Sequence, residues 1–499
     1  LGVYFIEPEV LGAEDYAARH WEATAEALAD LRETLASRGV VLAVRRGGAV
    51  EWLERLRARY PRLRLWSHEE TGNAVTYARD RAVKRWARER GVVWTELPQH
   101  GVVRPLRSRD GWAAAWEDRM RRPLEVAPQE LPGLADVVPG EIPSSAALGL
   151  AADPCPGRQR NTRAEAERLL GTFLAYRGAN YSREMSSPLT AAEACSRLSV
   201  PLAYGVLSLR ETARAAWERA AELTELRQAG RADAFRIGAL RSFVARLHWH
   251  CHFMQKLEDE PRVEHEAFLP ELDALRDGPW DEERAARLAA WAEGRTGYPF
   301  VDACMRALRA TGWINFRMRA MLVSFASYDL WLPWRRSGLA LARLFTDYEP
   351  GIHWPQVQMQ SGTTGINTLR MYAPVKQSTD QDPEGIFIRR WVPELARVDT
   401  VFIHDPWRMP TAAQVAAGCE IGRDYPRPVV DHAEAVRFAR ARFTELKRRA
   451  EHRAAAREVF RRHGSRRRPG TEVVEPRWFE AAAGAGRGAV PGDQLELGV

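Results

Sequence analysis
The rhythm of apolar and polar positions changes once along the chain, near residue 125. Before that point, short apolar runs alternate with amphipathic stretches. Val3-Tyr4-Phe5-Ile6, Val40–Val44, Leu63–Trp66 and Val92–Thr95 read as strands, and Trp21–Ser37, Val50–Tyr60 and Asn73–Arg90 carry the apolar spacing of helices. This alternation predicts a doubly wound, largely parallel sheet, because parallel neighbours need a crossover and a helix supplies it. Ligands meet such sheets at the carboxyl ends of their strands, where Ser67–Asn73 lies. That segment has no GxGxxG fingerprint, so a standard dinucleotide site is not expected there.

Residues 126–160 are rich in Pro, Gly and Ala and read as an interdomain linker. Residues 161–464 are helical in pattern, with a basic helix over Arg440–Arg462 that supplements an electropositive groove for a polyanion or is simply a solvated helix face. Residues 465–499, including Arg466-Arg467-Arg468, read as a disordered tail. The expected organisation is therefore an α/β domain over 1–125, a linker and an all-α domain. The chain opens on an apolar strand with no initiator Met, which reads as an N-terminal truncation with a strand missing.

Composition narrows this picture modestly. A chain of 499 residues exceeds one ordinary core, so two or three domains are expected. No run approaches the roughly 18–20 apolar residues of a membrane span, and the opening Leu1–Ile6 does not read as a secretory signal. A cytoplasmic protein is expected, nucleoid-associated if bacterial, monomeric and without a membrane partner. Five scattered Cys with no CxxC read as reduced thiols, with an iron–sulfur site built from distant residues as the disfavoured alternative. The net charge of +7 is compatible with a polyanionic partner but is spread over a large surface. Eighteen Trp point to stacking surfaces or electron-transfer paths, although burial alone accounts for most of them. His248, His250 and His252 do not share one helix face, and no metal site is predicted.

Five ordered segments of the helical half carry a family resemblance. They are Cys195-Ser196-Arg197-Leu198-Ser199, Gly294–Ala303 with Met305-Arg306, and Thr311-Gly312-Trp313 leading to Arg317 and Arg319. Asp347-Tyr348-Glu349 and Asp382–Leu395 complete the set. In this order they resemble the photolyases and cryptochromes, and the α/β half resembles that family's antenna domain. The resemblance implies FAD, and a possible second antenna chromophore of folate or deazaflavin type. It places Tyr181, Cys195, Ser196, Arg197, Leu198, Ser199, Phe243, His250, Arg319, Asp347, Tyr348 and Glu349 around the flavin. Hydroxyl and backbone donors near a helix start suit its pyrophosphate, and a cap would use the same donors. Arg319 and Asp347 are expected to form a buried ion pair beside the flavin ring.

On the same resemblance Trp249 is the platform for an extruded pyrimidine pair, with Arg246, Arg317 and Gln377 on the DNA side. Arg246 stands where the family carries Glu or Gln. His353 falls at the family's flavin-facing Asn, while Val357 and Met359 replace tryptophans of its electron relay. Trp334 is retained, Trp280 is the outer candidate, and Trp354, Tyr348 or Trp331 offers a detour. Trp249, Arg319, Asp347, His353 and Met359 are the catalytic candidates. The activity implied is light-driven repair of pyrimidine dimers in DNA, that of a deoxyribodipyrimidine photolyase. The rival is a cryptochrome-type photoreceptor.

Overall fold
The computed structural model describes residues 1–464 apart from Ala135, Ala232, Asp233 and Thr368. The Arg466–Arg468 cluster and the expected tail lie outside the described residues. The amino-terminal half runs β1 (Gly2–Ile6), α1 (Ala18–Ala36), β2 (Leu42–Arg46), α2 (Ala49–Arg59), β3 (Arg64–His68), α3 (Ala74–Arg90) and β4 (Val93–Leu97). Every strand pairing among the described residues is parallel, as the βα rhythm predicts. Among the described residues the strands form two pairs, β1–β2 in register from Gly2–Leu42 to Ile6–Arg46, and β3–β4 from Arg64–Val93 to His68–Leu97. Local chemistry sets the helix ends: the Asn73 side chain accepts from Thr76 N at 3.2 Å to start α3, and Gly91 at φ 64° ends it.

Two features of the packing bear on the expected boundaries. The helix α4 (Trp112–Arg121) falls inside the expected α/β domain, yet Trp112, Trp116 and Met120 pack with Leu169, Leu202, Leu247 and Cys251 in the helical core. Apolar contact, not chain order, decides its allegiance. The Pro-rich stretch is also no free tether. Val44 N donates to Pro139 O at 2.7 Å, Leu131 N to Arg38 O at 3.0 Å and Trp21 Nε1 to Pro143 O at 2.8 Å. It is a strap laid along α1 and β2.

The helical half is organised by α5 (Leu209–Gln228), α6 (Ile237–Asp259), α7 (Pro299–Thr311), α8 (Phe316–Ser324), α9 (Trp334–Leu344), α10 (Pro350–Ser361) and α11 (Pro374–Gln381). A capping box starts α5, with Ser208 Oγ accepting from Glu211 N and the Glu211 carboxylate accepting from Ser208 N. The longest of these, α6, lies against α10, where a Cβ on Gly351 would come 2.9 Å from the Met254 Cα. Only glycine permits that approach. The expected basic helix Arg440–Arg462 is two helices, α12 (His432–Lys447) and α13 (Ala450–His463), broken at Arg448–Arg449. The break lets Phe443, Leu446, Ala456 and Val459 bury against one small core, which one straight helix would not allow.

The Gly294–Ala303 motif proves to be architectural. Asp302 is fully buried and accepts from Thr296 N (2.8 Å), Thr296 Oγ1 (2.6 Å), Gly297 N (3.1 Å) and the Tyr425 hydroxyl. Gly297 sits at φ 80°, and a Cβ there would come 2.4 Å from the Arg427 backbone. A buried carboxylate is tolerated because several donors replace its water.

Candidate functional site
The segment Cys195–Ser199 is held in shape from behind. Arg177 donates to the carbonyls of Glu193 (2.7 Å), Cys195 (2.6 Å), Leu169 (2.8 Å) and Ser196 (3.4 Å), and its Nε to Thr172 Oγ1. Gln159 Nε2 donates to Arg197 O at 3.0 Å. These bonds fix Arg197 at φ 61°, a left-handed conformation that costs a non-glycine residue about 1–3 kcal/mol. The Arg197 guanidinium then lies 4.0 Å over the Trp313 ring. The reading of Ser196 and Ser199 as helix caps is not what the structure has. Ser196 Oγ accepts from Leu198 N within the turn, while Ser199 is the first residue of the short helix Ser199–Ala203 and its buried hydroxyl has no protein partner.

The second wall comes from α8 and the turn before α10. Gly312, at φ 71°, accepts from Thr346 N at 2.9 Å, and a Cβ on it would overlap the Thr346 side chain. This contact sets Asp347 opposite Arg319. Arg319 Nη2 donates to Asp347 Oδ2 at 2.7 Å and Nε to Ile314 O at 2.9 Å, with the guanidinium 4.1 Å over Phe345. The expected ion pair is formed. Asp347 Oδ1, on its other side, is buried without a protein partner.

Residues that the sequence reading did not single out hold this turn in place. Arg19 Nη1 donates to Leu344 O at 2.6 Å, His20 Nε2 bonds Phe345 O at 3.0 Å, and the Tyr204 hydroxyl donates to Thr346 O at 3.0 Å. Arg19 is itself clamped by both oxygens of Asp153, and the Tyr348 hydroxyl donates to Asp15, which also receives Asn73 Nδ2. Three successive carbonyls are thus oriented by side chains from α1 and Tyr204. Burial lowers the His20 pKa to about 4, so the ring is neutral and can accept from Ala17 N at Nδ1 while donating at Nε2. No local pattern advertises these bonds, because their partners lie more than a hundred residues away.

The electrostatics favour an anion. The charges of Arg197, Arg177, Arg246 and Arg319 all act at Cys195, whose thiol is nevertheless pushed up to about 11 by burial. Arg197 has a buried Nε with no partner. Burial likewise raises the Glu349 carboxyl to about 8, with the Glu70 charge adding to it. A site with a cationic wall, an unpartnered carboxylate oxygen, a free hydroxyl and a free guanidinium nitrogen suits a ligand that is anionic at one end and a hydrogen-bond donor at the other. FAD has that distribution.

Of the other predicted residues, Tyr181 and Phe243 are buried together against Phe173, and Leu198 is core. His250 packs edge-on to His100 at 5.3 Å, and burial lowers it to about 4. His248 and His252 both pack on Trp112. Trp249 is half-buried, with its ring against His252 (4.9 Å) and Phe253 (5.7 Å). Arg246 is half-buried and its charge acts on Tyr181. Arg317 Nε and Gln377 Oε1 are buried without partners, on helices joined by the Met185–Ser187 loop through Asn315 Nδ2 and Gln381 O. Met359 is half-buried on α10.

His353 is anchored from the neighbouring helix. Its Nε2 bonds Gly338 O at 2.9 Å, leaving only Nδ1 for a ligand, and its ring packs against Tyr348 (5.2 Å) and Trp354 (4.9 Å). Trp354 in turn meets Trp334 at 5.8 Å. Tyr348, His353, Trp354 and Trp334 therefore form an unbroken line of ring contacts. Trp280 lies under Arg336, and Trp331 packs on Phe438 and Phe443; no ring contact among the described residues joins either to that line. At the strand ends, Glu70 accepts from Arg79 and from Gly72 N, and Arg104 bonds its carbonyl.

Comparison with known proteins agrees with this geometry. Residues 1–114 match the family model described as DNA photolyase, and 243–445 the FAD binding domain of DNA photolyase. The deoxyribodipyrimidine photo-lyase of Streptomyces griseus is 30% identical over 453 residues, 84% of this chain and 88% of that protein. Cryptochrome-2 of Arabidopsis thaliana is 43% identical over 162 residues, but the match spans only 32% of this chain and 26% of that protein. The bacterial class III photolyase from Agrobacterium tumefaciens has the same fold, with a TM-score of 0.75, 23% identity and coverage of 90% of this chain and 92% of that one. No helix among the described residues is long and apolar enough to cross a membrane. With family models matched along most of the chain and a relative 30% identical over 84% of it, the chain belongs to the photolyase/cryptochrome family and binds FAD.

Proposed function
We propose that the protein is a DNA photolyase that splits cyclobutane pyrimidine dimers in light. The bound flavin supplies the photoexcited electron, and the chain binds it, orients it and admits the lesion. Ser199, Arg197 and the surrounding guanidinium groups would hold the pyrophosphate, and Arg319 and Asp347 would hold the ring end. A fixed cation there favours an electron-rich flavin by Coulomb attraction, which the partly water-excluded site strengthens. Trp249 offers its face to the extruded bases, while Arg317 and Gln377 have buried polar atoms that a DNA strand would satisfy. The single observation carrying the reading is the Arg319–Asp347 pair with its spare carboxylate oxygen.

Oxidising equivalents leave the site through Trp354 and Trp334, which replace the positions lost to Val357 and Met359. A cryptochrome-like photoreceptor is the alternative, and Arg246 favours it, since a cation replaces the acidic lesion contact. The deciding assay mixes the reduced holoprotein with dimer-containing oligonucleotide under blue light, using single- and double-stranded substrate. Recovery of intact thymine supports repair. Its absence in both forms leaves the photoreceptor.

A further inference from the structure
The two tryptophans of the ring line have opposite surroundings. We propose that Asp273 accepts the indole proton of Trp334 when that ring is oxidised, so that the oxidising equivalent comes to rest on Trp334 as a neutral radical. This rests on the electron path proposed above.

Trp334 Nε1 donates to Asp273 Oδ1 at 2.7 Å, and Asp273 Oδ2 accepts from Ala267 N at 2.7 Å. The backbone bond fixes the carboxylate, so one oxygen is committed and the other faces the indole. Arg276 is the buried cation on which the Asp273 charge acts, and it is tied instead to Ser327 O and Ser361 O. Trp354 is almost fully buried, its indole N–H faces the Tyr348 hydroxyl and no carboxylate, and the Arg335 guanidinium stands 5.8 Å from its ring. Arg335 is shared with Glu14 at 3.0 Å, which tempers its effect. A cation beside one ring raises the cost of positive charge there, whereas a hydrogen-bonded carboxylate lowers it at the other. An oxidised indole is far more acidic than indole itself, and the proton has a preformed bond to cross.

In the step, Trp334 gives one electron to oxidised Trp354. The Nε1–H bond breaks and an O–H bond forms on Asp273 Oδ1. One electron leaves the Trp334–Asp273 pair and no proton does, so its charge rises from carboxylate to neutral. A thiolate reductant returns the electron and becomes a thiyl radical, while the Asp273 O–H bond breaks and the indole N–H bond re-forms.

The test reads the radical, not repair. Flash oxidation of the holoprotein by light, and of the apoprotein by a ruthenium photo-oxidant with a sacrificial quencher, is followed by transient absorption and electron paramagnetic resonance in H2O and D2O. In the unaltered protein a neutral tryptophan radical is expected, with its appearance slowed in D2O. Asp273→Asn is expected to lose the neutral-radical signal and leave a cation radical. A cation radical in the unaltered protein, no D2O effect, or an unchanged neutral radical in folded Asp273→Asn overturns the proposal. If Trp334→Phe leaves the radical signal unaltered, the electron path itself is wrong. The D2O measurement needs no variant, so misfolding of Asp273→Asn does not shield the idea.

Discussion

Replacing Asp347 by Asn tests the core of the flavin site, because it keeps the volume and removes the charge. The Asp347 side chain is 2% exposed and Arg319 26%, so the pair is buried on one side only. Removing one partner of a fully buried pair costs about 3–5 kcal/mol, and exposed pairs are worth at most about 1 kcal/mol. Arg319 keeps its bond to Ile314 O and its place over Phe345, so the loss for the apoprotein falls between these limits, at about 2 kcal/mol. The ligand effect is separate. A hydrogen bond to a charged group contributes about 1.5–3 kcal/mol, and Oδ1 has no protein partner to lose. FAD affinity is therefore expected to fall roughly tenfold to a hundredfold. Urea unfolding of the apoprotein reads the first effect, and fluorescence titration with FAD reads the second. Unchanged FAD affinity in a folded variant would remove Asp347 from the flavin site, and an unchanged unfolding midpoint would refute the energetic weight given to the ion pair.

Ser199→Ala should separate stability from binding in the opposite sense. Deleting a buried, unpartnered hydroxyl is expected to stabilise the apoprotein by up to about 1 kcal/mol while weakening FAD, and a destabilised apoprotein would contradict it. Trp354→Phe and Trp334→Phe should each slow photoreduction of the bound flavin, measured by absorbance under blue light, whereas Trp280→Phe should slow it less. No effect from either of the first two refutes the ring path. The buried histidines should also contribute stability that rises with pH between about 4 and 6.5. Burial lowers His20, His250 and His353 to about 4 each, so the unfolded chain binds protons in that window that the folded chain does not. Glu264 and Glu349, raised to about 7 and about 8, act the other way, as do Asp302 and Asp329, whose carboxyls burial pushes up, so the histidine share is read from a single substitution. Each such histidine contributes a slope of at most about 1.4 kcal/mol per pH unit, and His20→Gln should flatten the midpoint-against-pH curve by one such share.

The parallel strands, the helices between them and the all-α second half were legible from periodicity, because apolar spacing is a local property of the chain. Segment identity was legible too: Arg319, Asp347 and Ser199 stand in motifs readable at short range, and the pair they imply is formed. What periodicity does not carry is which surface a segment buries. Trp112–Arg121 follows the α/β domain in sequence but joins the helical core, and the basic stretch after Arg440 breaks so that Phe443 and Val459 bury against one core. The supports of the site were equally silent, since Arg19, His20 and Tyr204 act on carbonyls between 142 and 325 residues away. The motif around Asp347 likewise does not say where the His353 Nε2 points, which the Gly338 carbonyl on a neighbouring helix decides. The sequence by itself determined local conformation and the type of cofactor chemistry. Only the tertiary structure decided which buried polar atoms were satisfied by protein and which, like Asp347 Oδ1 and Ser199 Oγ, were left for a ligand, because hydrogen-bond satisfaction depends on neighbours brought together in space.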